Sequence, residues 1–300
     1  MILVDKVNAL LGRGALLLAT VIWGVAFVLM DFTLSSVTTL YILAIRFCGA
    51  AVIMLLVSFR SLKKIDRKYL AAGAAMGLAL FLAYVTQTYG LTFTTPGKNA
   101  FLTASYCIMV PFLYWITSRK RPDRYNISAA FLCLAGVGLI TLNTGFSVNT
   151  GDLLTLVCAF FFAVHIIISN RVIPGRNLVL LCLVQFATAG ILAAAGAFVF
   201  EPVPRHLPVS AIGMLAFLTV VATALCLLLQ IYGQKHTPPS QTSVIMTFEA
   251  VFGVLSSVIA GSEDLSVKLL IGFVLTFTAF IISETKLGFL RRKKEPADAP

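Results

Sequence analysis

Glu249 and Arg46 stand out because each interrupts a long apolar stretch, Glu249 within 240–261 and Arg46 within 37–58. An ionised side chain at the centre of a bilayer costs at least about 2.5 kcal/mol, so such residues persist where a cavity or a partner uses them. Each lies about nine residues from one end of its stretch, roughly 14 Å deep at 1.5 Å per residue. A shared depth permits pairing. Two roles stay open for Glu249: a group that takes up and releases a proton as its surroundings change, or half of a structural ion pair with Arg46.

Other polar and aromatic residues in apolar stretches extend this set: Trp23, Tyr84, Gln87, Tyr106, His165, Gln185 and Gln230. Amides there bind solute, line gates, or bridge helices through hydrogen bonds worth about 0.6 kcal/mol each. His165, alone among apolar neighbours, reads either as a cavity group or as a satisfied packing residue. Trp23 and Tyr84 offer aromatic walls, although Gly24 beside Trp23 also suggests a close helix contact. Pro111 removes a backbone donor and predicts a kink in its helix. Gly73 and Gly77 form a GxxxG helix-packing pattern.

The motifs of other chemistries are missing. There is no HExxH, no paired aspartates for a metal, no Ser/His nucleophile set and no GxxxxGK[ST] phosphate loop. The three histidines are far apart, and the six cysteines are scattered singly without a CxxC. The expectation is therefore no enzyme, no metal and no cofactor.

The elements that hold these residues must be membrane helices. Of the 300 residues, 59% are hydrophobic and 12% charged, against about 45–50% and 25% in soluble domains. Ten stretches are long enough to cross roughly 30 Å of hydrocarbon: 13–31, 37–58, 69–91, 98–118, 126–144, 151–170, 177–200, 209–233, 240–261 and 267–288. The net charge of +11 does not indicate nucleic acid, because the basic residues cluster in short loops between these stretches. With the N-terminus inside, nineteen Lys and Arg fall on the inner side and three (Lys98, Arg205, Lys268) on the outer. This asymmetry predicts cytoplasmic termini.

The chain also repeats itself. Gln87, Tyr89, Gly90, Thr94 and Pro96 recur as Gln230, Tyr232, Gly233, Thr237 and Pro239 at a constant offset of 143. The same offset carries Tyr106 onto Glu249. Gly14 echoes Gly151, and Arg46-Phe47 lines up with Gln185-Phe186. The expected organisation is one five-helix repeat over 1–147, a second over 148–290, and a basic cytoplasmic tail over 291–300. Five is odd, so the second repeat enters the membrane from the opposite face. Inverted repeats of this kind suit alternating access around a site near the midplane, lined by spans one, three, four, six, eight and nine.

With Ile22 to Phe27 in span one, Arg46-Phe47 in span two, Pro111 in span four and Glu249 in span nine, the chain resembles the EamA-type ten-helix proteins of the drug/metabolite transporter superfamily. Gly136-Val137-Gly138, the Gly261 to Ser266 loop and Leu270-Ile271-Gly272 also match, over residues 13–287. The family often has Pro after the span-nine Glu, where this chain has Ala250. The resemblance implies a secondary transporter of small organic solutes (metabolites, amino acids or drugs), working in efflux. It would sit in the cell membrane, in bacteria the inner membrane, as a monomer or homodimer coupled to protons or a counter-solute. A membrane-embedded enzyme or a lipid or solute channel is the alternative.

The topology yields a direct test. Cysteines introduced at Ser147 or Asn149 are expected to react with an impermeant thiol reagent from outside, and those at Lys64 or Arg121 only from inside. Labelling of position 64 from outside would overturn the orientation and the inverted repeat together.

Overall fold

In the computed structural model the chain is a bundle of helices, described for residues 2–94, 96–141, 149–204, 207–259 and 267–286. Most of the predicted junction near 145–150 lies outside these residues, as do Arg205, the Gly261 to Ser266 loop and the tail 291–300. In chain order the helices are α1 (Ile2–Leu34), α2 (Thr39–Ser58), α3 (Arg67–Leu91), α4 (Pro96–Ala104), α5 (Tyr106–Ser118), α6 (Arg124–Thr141) and α7 (Thr150–Val172). They continue as α8 (Leu178–Phe200), α9 (Val209–Thr219), α10 (Cys226–His236), α11 (Pro239–Met246), α12 (Phe248–Ile259) and α13 (Val267–Thr285). A 3-10 turn, Phe59–Lys64, follows α2, and a π-turn, Val220–Leu225, joins α9 to α10. Regular structure among the described residues is helical throughout, as hydrocarbon demands of a backbone that must satisfy itself.

Among the described residues, seven helical segments are long and apolar enough to cross a membrane, counting α4 with α5 and α9 with α10 as single rods. The other three predicted stretches are occupied by α6, by α11 with α12, and by α13. The α11 helix opens on Ser240-Gln241-Thr242-Ser243, which dilutes its apolar character.

Polar residues stop and cap these helices at the ends of the bundle. At one end, Asp66 caps α3 by accepting Tyr69 N–H at 2.8 Å, and Asn177 caps α8 through Val179 N–H at 2.9 Å. Asn177 N–H in turn reaches the Tyr69 hydroxyl at 2.8 Å, Arg171 donates to the Thr117 carbonyl, and Lys286 pairs with Asp123 at 2.6 Å. Burial disfavours the Asp123 carboxylate, but Lys286 and the Tyr125 N–H outweigh it and hold the group below the usual carboxylate range. At the other end, Asn149 and Asp152 form a capping box on α7, and Asp152 also pairs with Lys98 at 2.6 Å. There Glu201 accepts the Leu40 and Tyr41 N–H groups that open α2 and the Tyr89 hydroxyl.

The long-range packing comes in matched pairs. The α3 helix packs along α7 and α1 along α10; α4 and α5 meet α7, while α12 meets α1; α2 lies against α8 and α6 against α13. Bare glycine surfaces make the matched contacts possible. A Cβ at Gly90 would lie 3.0 Å from the Gly151 carbonyl, and one at Gly233 would lie 2.8 Å from the Gly12 carbonyl. Gly12, not Gly14, is therefore the counterpart of Gly151: the region around Gly14 is open, with nothing within 4 Å of its would-be Cβ. Gly73 packs on Val184, and Gly77 on Gln185 and Thr188, so the GxxxG joins α3 to α8.

Gly24 makes the tightest demand on α1, since an added Cβ would come within 2.5 Å of Phe252 on α12. Gly24→Ala is expected to lower stability in detergent by about 1–3 kcal/mol, the usual cost of overpacking. Gly14→Ala should be neutral or gain up to about 1 kcal/mol from helix propensity. Equal melting behaviour of the two variants would refute this contact.

Candidate functional site

Between α1, α2, α3, α4, α5, α7, α10, α11 and α12 lies a cavity. Its floor holds one acid and one base. Glu249, 6% exposed, sits at the second position of α12 and accepts the Tyr106 hydroxyl at 3.1 Å. Arg46, 2% exposed, donates its Nε to Thr223 Oγ1 at 3.0 Å and places its guanidinium carbon 4.9 Å from the centre of the Tyr84 ring. Cation–π contact of this kind holds a charge without neutralising it. No ion pair joins Arg46 to Glu249, so the direct pairing that the sequence left open is not made; both charges line the same space instead.

Local backbone irregularities put these groups there. The rod of α4 and α5 is interrupted at Ser105, whose hydroxyl bonds back to the Leu102 carbonyl at 2.6 Å. The rod of α11 and α12 is interrupted at Thr247, whose hydroxyl bonds back to Val244 at 2.6 Å. Hydroxyls that compete for the i−3 carbonyl loosen a helix locally. Tyr106 and Glu249 follow directly on these breaks. Pro111 lies inside α5, and the interruption of the rod falls earlier, at Ser105. The π-turn supplies the partners of the other side of the cavity. Thr223 bonds to the Leu218 carbonyl five residues back and presents its oxygen to Arg46, and the Ala222 carbonyl accepts Trp23 Nε1 at 2.8 Å. Such bulges recur at functional sites because they free backbone groups for other partners.

Edge-on aromatic contacts build one wall, running from Phe47 to Tyr84 (5.3 Å), Tyr84 to Phe162 (5.3 Å) and Phe162 to Tyr106 (6.4 Å). Toward the end of the bundle that carries Asp152, Gln87 donates to Thr103 at 3.2 Å, and Asn99 donates to Thr155 at 2.9 Å and to the Gln87 carbonyl. Asn99 Oδ1 and Gln230 Nε2 are buried without partners. An unpaired acceptor and an unpaired donor on the lining are groups a bound solute can satisfy.

Of the residues singled out in the sequence, Trp23, Arg46, Tyr84, Gln87, Tyr106, Gln230 and Glu249 line the cavity. His165 does not. It is fully buried, with Nε2 3.1 Å from Gln185 Oε1, and the two form a packing contact between α7 and α8. Gln185 is thereby drawn away from the cavity too, so it does not join Arg46, Tyr106 and Glu249 around a common centre. Sequence reasoning missed Asn99, Thr88, Phe162 and Met246 on the lining and Thr223 behind Arg46. Asn99 had a signal, a buried-type amide just after Pro96; Thr223 had none, because only the π-turn brings it round.

Comparison with known proteins places the chain in a family and a fold. The EamA-like transporter family is matched twice along the chain, over residues 10–142 and 149–285. An uncharacterized transporter of Archaeoglobus fulgidus is 31% identical over 278 residues, which make up 93% of this chain and 87% of that protein. A protein of known crystal structure shares the fold with a TM-score of 0.78 at 18% identity, covering 95% of this chain and 99% of the other.

Tyr106→Phe and Gln230→Leu each remove one polar group from the cavity while keeping its shape nearly intact. Each is expected to weaken binding of a solute found by thermal-shift screening about three- to tenfold, the worth of roughly one hydrogen bond, with membrane abundance preserved. His165→Leu should do the reverse, lowering abundance and leaving affinity unchanged. Normal affinity in both cavity variants would make those residues packing elements.

Proposed function

The chain belongs to the EamA-like transporter family and is a multi-pass membrane transporter, and from that premise we propose that it moves small organic solutes by alternating access. On this reading ten spans form two inverted five-helix halves, 1–147 and 148–290, with both termini in the cytoplasm. The solutes are metabolites, amino acids or drugs, carried in efflux across the cell membrane.

The observation that carries the reading is the hydrogen bond between Tyr106 and Glu249, two residues 143 apart that the internal repeat makes equivalent. Equivalent positions of two halves meet only where a pseudo-twofold axis passes, and here that point is the floor of the cavity. Inverted repeats meeting at a shared site have two related arrangements, one open to each side. The contacts at the bundle ends support the orientation. Tyr69, Thr117, Asp123, Arg171, Asn177 and Lys286 join one another at one end, all from segments assigned to the inner side. Lys98, Asn149, Asp152 and Glu201 make theirs at the other, all from segments assigned to the outer side.

Glu249 is the group we assign to coupling. Its carboxyl group bonds a hydroxyl from a helix of the other half, so movement of one half against the other changes its surroundings. Binding and loss of a proton at that carboxyl would then be linked to the conformation, and solute movement to the proton gradient. Arg46, held by Thr223 and Tyr84, serves as the fixed positive charge of the site.

Proteoliposomes test the proposal. The expected result is saturable flux that exchanges labelled for unlabelled solute, driven by a pH gradient. Glu249→Gln keeps size and hydrogen bonding but cannot titrate; it should still exchange solute while gradient-driven accumulation is lost. Gradient-driven accumulation equal to that of the unsubstituted protein would remove Glu249 from coupling, and flux without saturation or exchange would point to a channel.

A further inference from the structure

Polar side chains near the end of α10 are buried with nothing to bond. Gln234 is 3% exposed, and neither its Nε2 nor its Oε1 has a partner. Gln230 Nε2 and Thr237 Oγ1 are stranded in the same way. Three buried polar side chains without partners in one stretch of helix need a physical reason.

Comparison of the two halves supplies it. At the offset of 143, Gln230 corresponds to Gln87 and Gln234 to Leu91. Gln87 donates to Thr103, and Asn99 beside it donates to Thr155. In the other half Met246 takes the place of Thr103. Leu16 takes that of Thr155, since Gly233 packs on Leu16 as Gly90 packs on Thr155. Where Gln87 of α3 meets a hydroxyl, the matching positions of the second half hold apolar side chains. The cavity runs to Leu91, the last residue of α3, but ends at Gln230, short of the last turn of α10. Gln234 therefore occupies, in the second half, the position that lines the cavity in the first.

We infer that Gln230, Gln234 and Thr237 line the inner half of the transport path, buried in this conformation and reached by water when the cavity opens to the cytoplasmic side. The inference rests on the alternating-access reading. It assigns to that half a polar lining of amide and hydroxyl groups, suited to solutes that carry their own hydrogen-bonding groups. It also gives Gln234 a second consequence: its unpaired amide disfavours the conformation described here relative to the one in which water reaches it, and so helps to set the balance between the two.

The test uses the full chain with Cys48→Ala, because the other five cysteines are buried. Gln234→Cys, and independently Thr237→Cys, are reacted with a charged thiol reagent from each side of the membrane while solute exchange is measured in the same vesicles. Labelling from the cytoplasmic side, at least about tenfold faster than the background of the Cys48→Ala chain, is expected at both positions. Gln234→Leu, which installs the residue of the first half, should slow labelling of Thr237→Cys about tenfold, as removal of one stranded amide predicts. Solute exchange without labelling of either cysteine would overturn the inference and leave alternating access standing. Unchanged Thr237→Cys labelling in the Gln234→Leu chain would overturn the role of Gln234 in the balance. Failure of the unsubstituted chain to exchange solute would overturn both the inference and the reading beneath it.

Discussion

Hydrocarbon offers no hydrogen bonds, and that constraint organises this molecule from its helix ends to its centre. Side chains answer for the backbone at the two faces: Asp66 and Asn177 at one end, Asn149, Asp152 and Glu201 at the other. Within the bundle, hydroxyl groups return their protons to carbonyls one turn back, and at Ser105 and Thr247 this is where helices are interrupted. Part of the polarity that remains lines one column between the helices, and the cavity forms along that column. Another part is paired outside it, as His165 is with Gln185 and Ser283 with Asn126.

Glycine sets the scale of that column. Where Gly90 meets Gly151, Gly12 meets Gly233 and Gly24 meets Phe252, backbones approach too closely for any side chain to intervene. The contacts between Gly90 and Gly151 and between Gly12 and Gly233 bind a helix from one part of the chain to a helix from the other, so the closest packing is across the two parts. The Tyr106–Glu249 bond also crosses between the two parts, beside the aromatic contact of Tyr106 with Phe162.

Much of this is written in the chain, for reasons that differ by residue. Glu249, Arg46, Gln87 and Gln230 announce themselves because a polar side chain in an apolar run is costly wherever it faces lipid. The helical architecture follows from composition alone. Burial direction is harder to read. His165 reads on paper as either a cavity group or a packing residue, and what decides for packing is Gln185 on the next helix, in a contact that no local pattern reveals. The interruption at Ser105 is hidden in a similar way: a missing backbone donor such as that of Pro111 is visible in a sequence, whereas hydroxyls that loosen a helix by bonding backwards look like any other Ser or Thr. Thr223 was beyond reach, because its position depends on a change of helical register.

That change of register, the π-turn at Val220–Leu225, has a bearing on how such a protein tolerates alteration in length. One additional residue in an ordinary α-helix would rotate everything after it by about 100° and turn a cavity face toward lipid. A π-turn absorbs the surplus where it occurs, so α9 keeps its outward apolar face while α10 keeps Gln230 inward. The rod of α9 and α10 is thus a spliced shaft whose two pieces are indexed independently. Lengthening one piece need not disturb the other, and the two halves of an ancient duplication can drift in span length while their polar column stays in line.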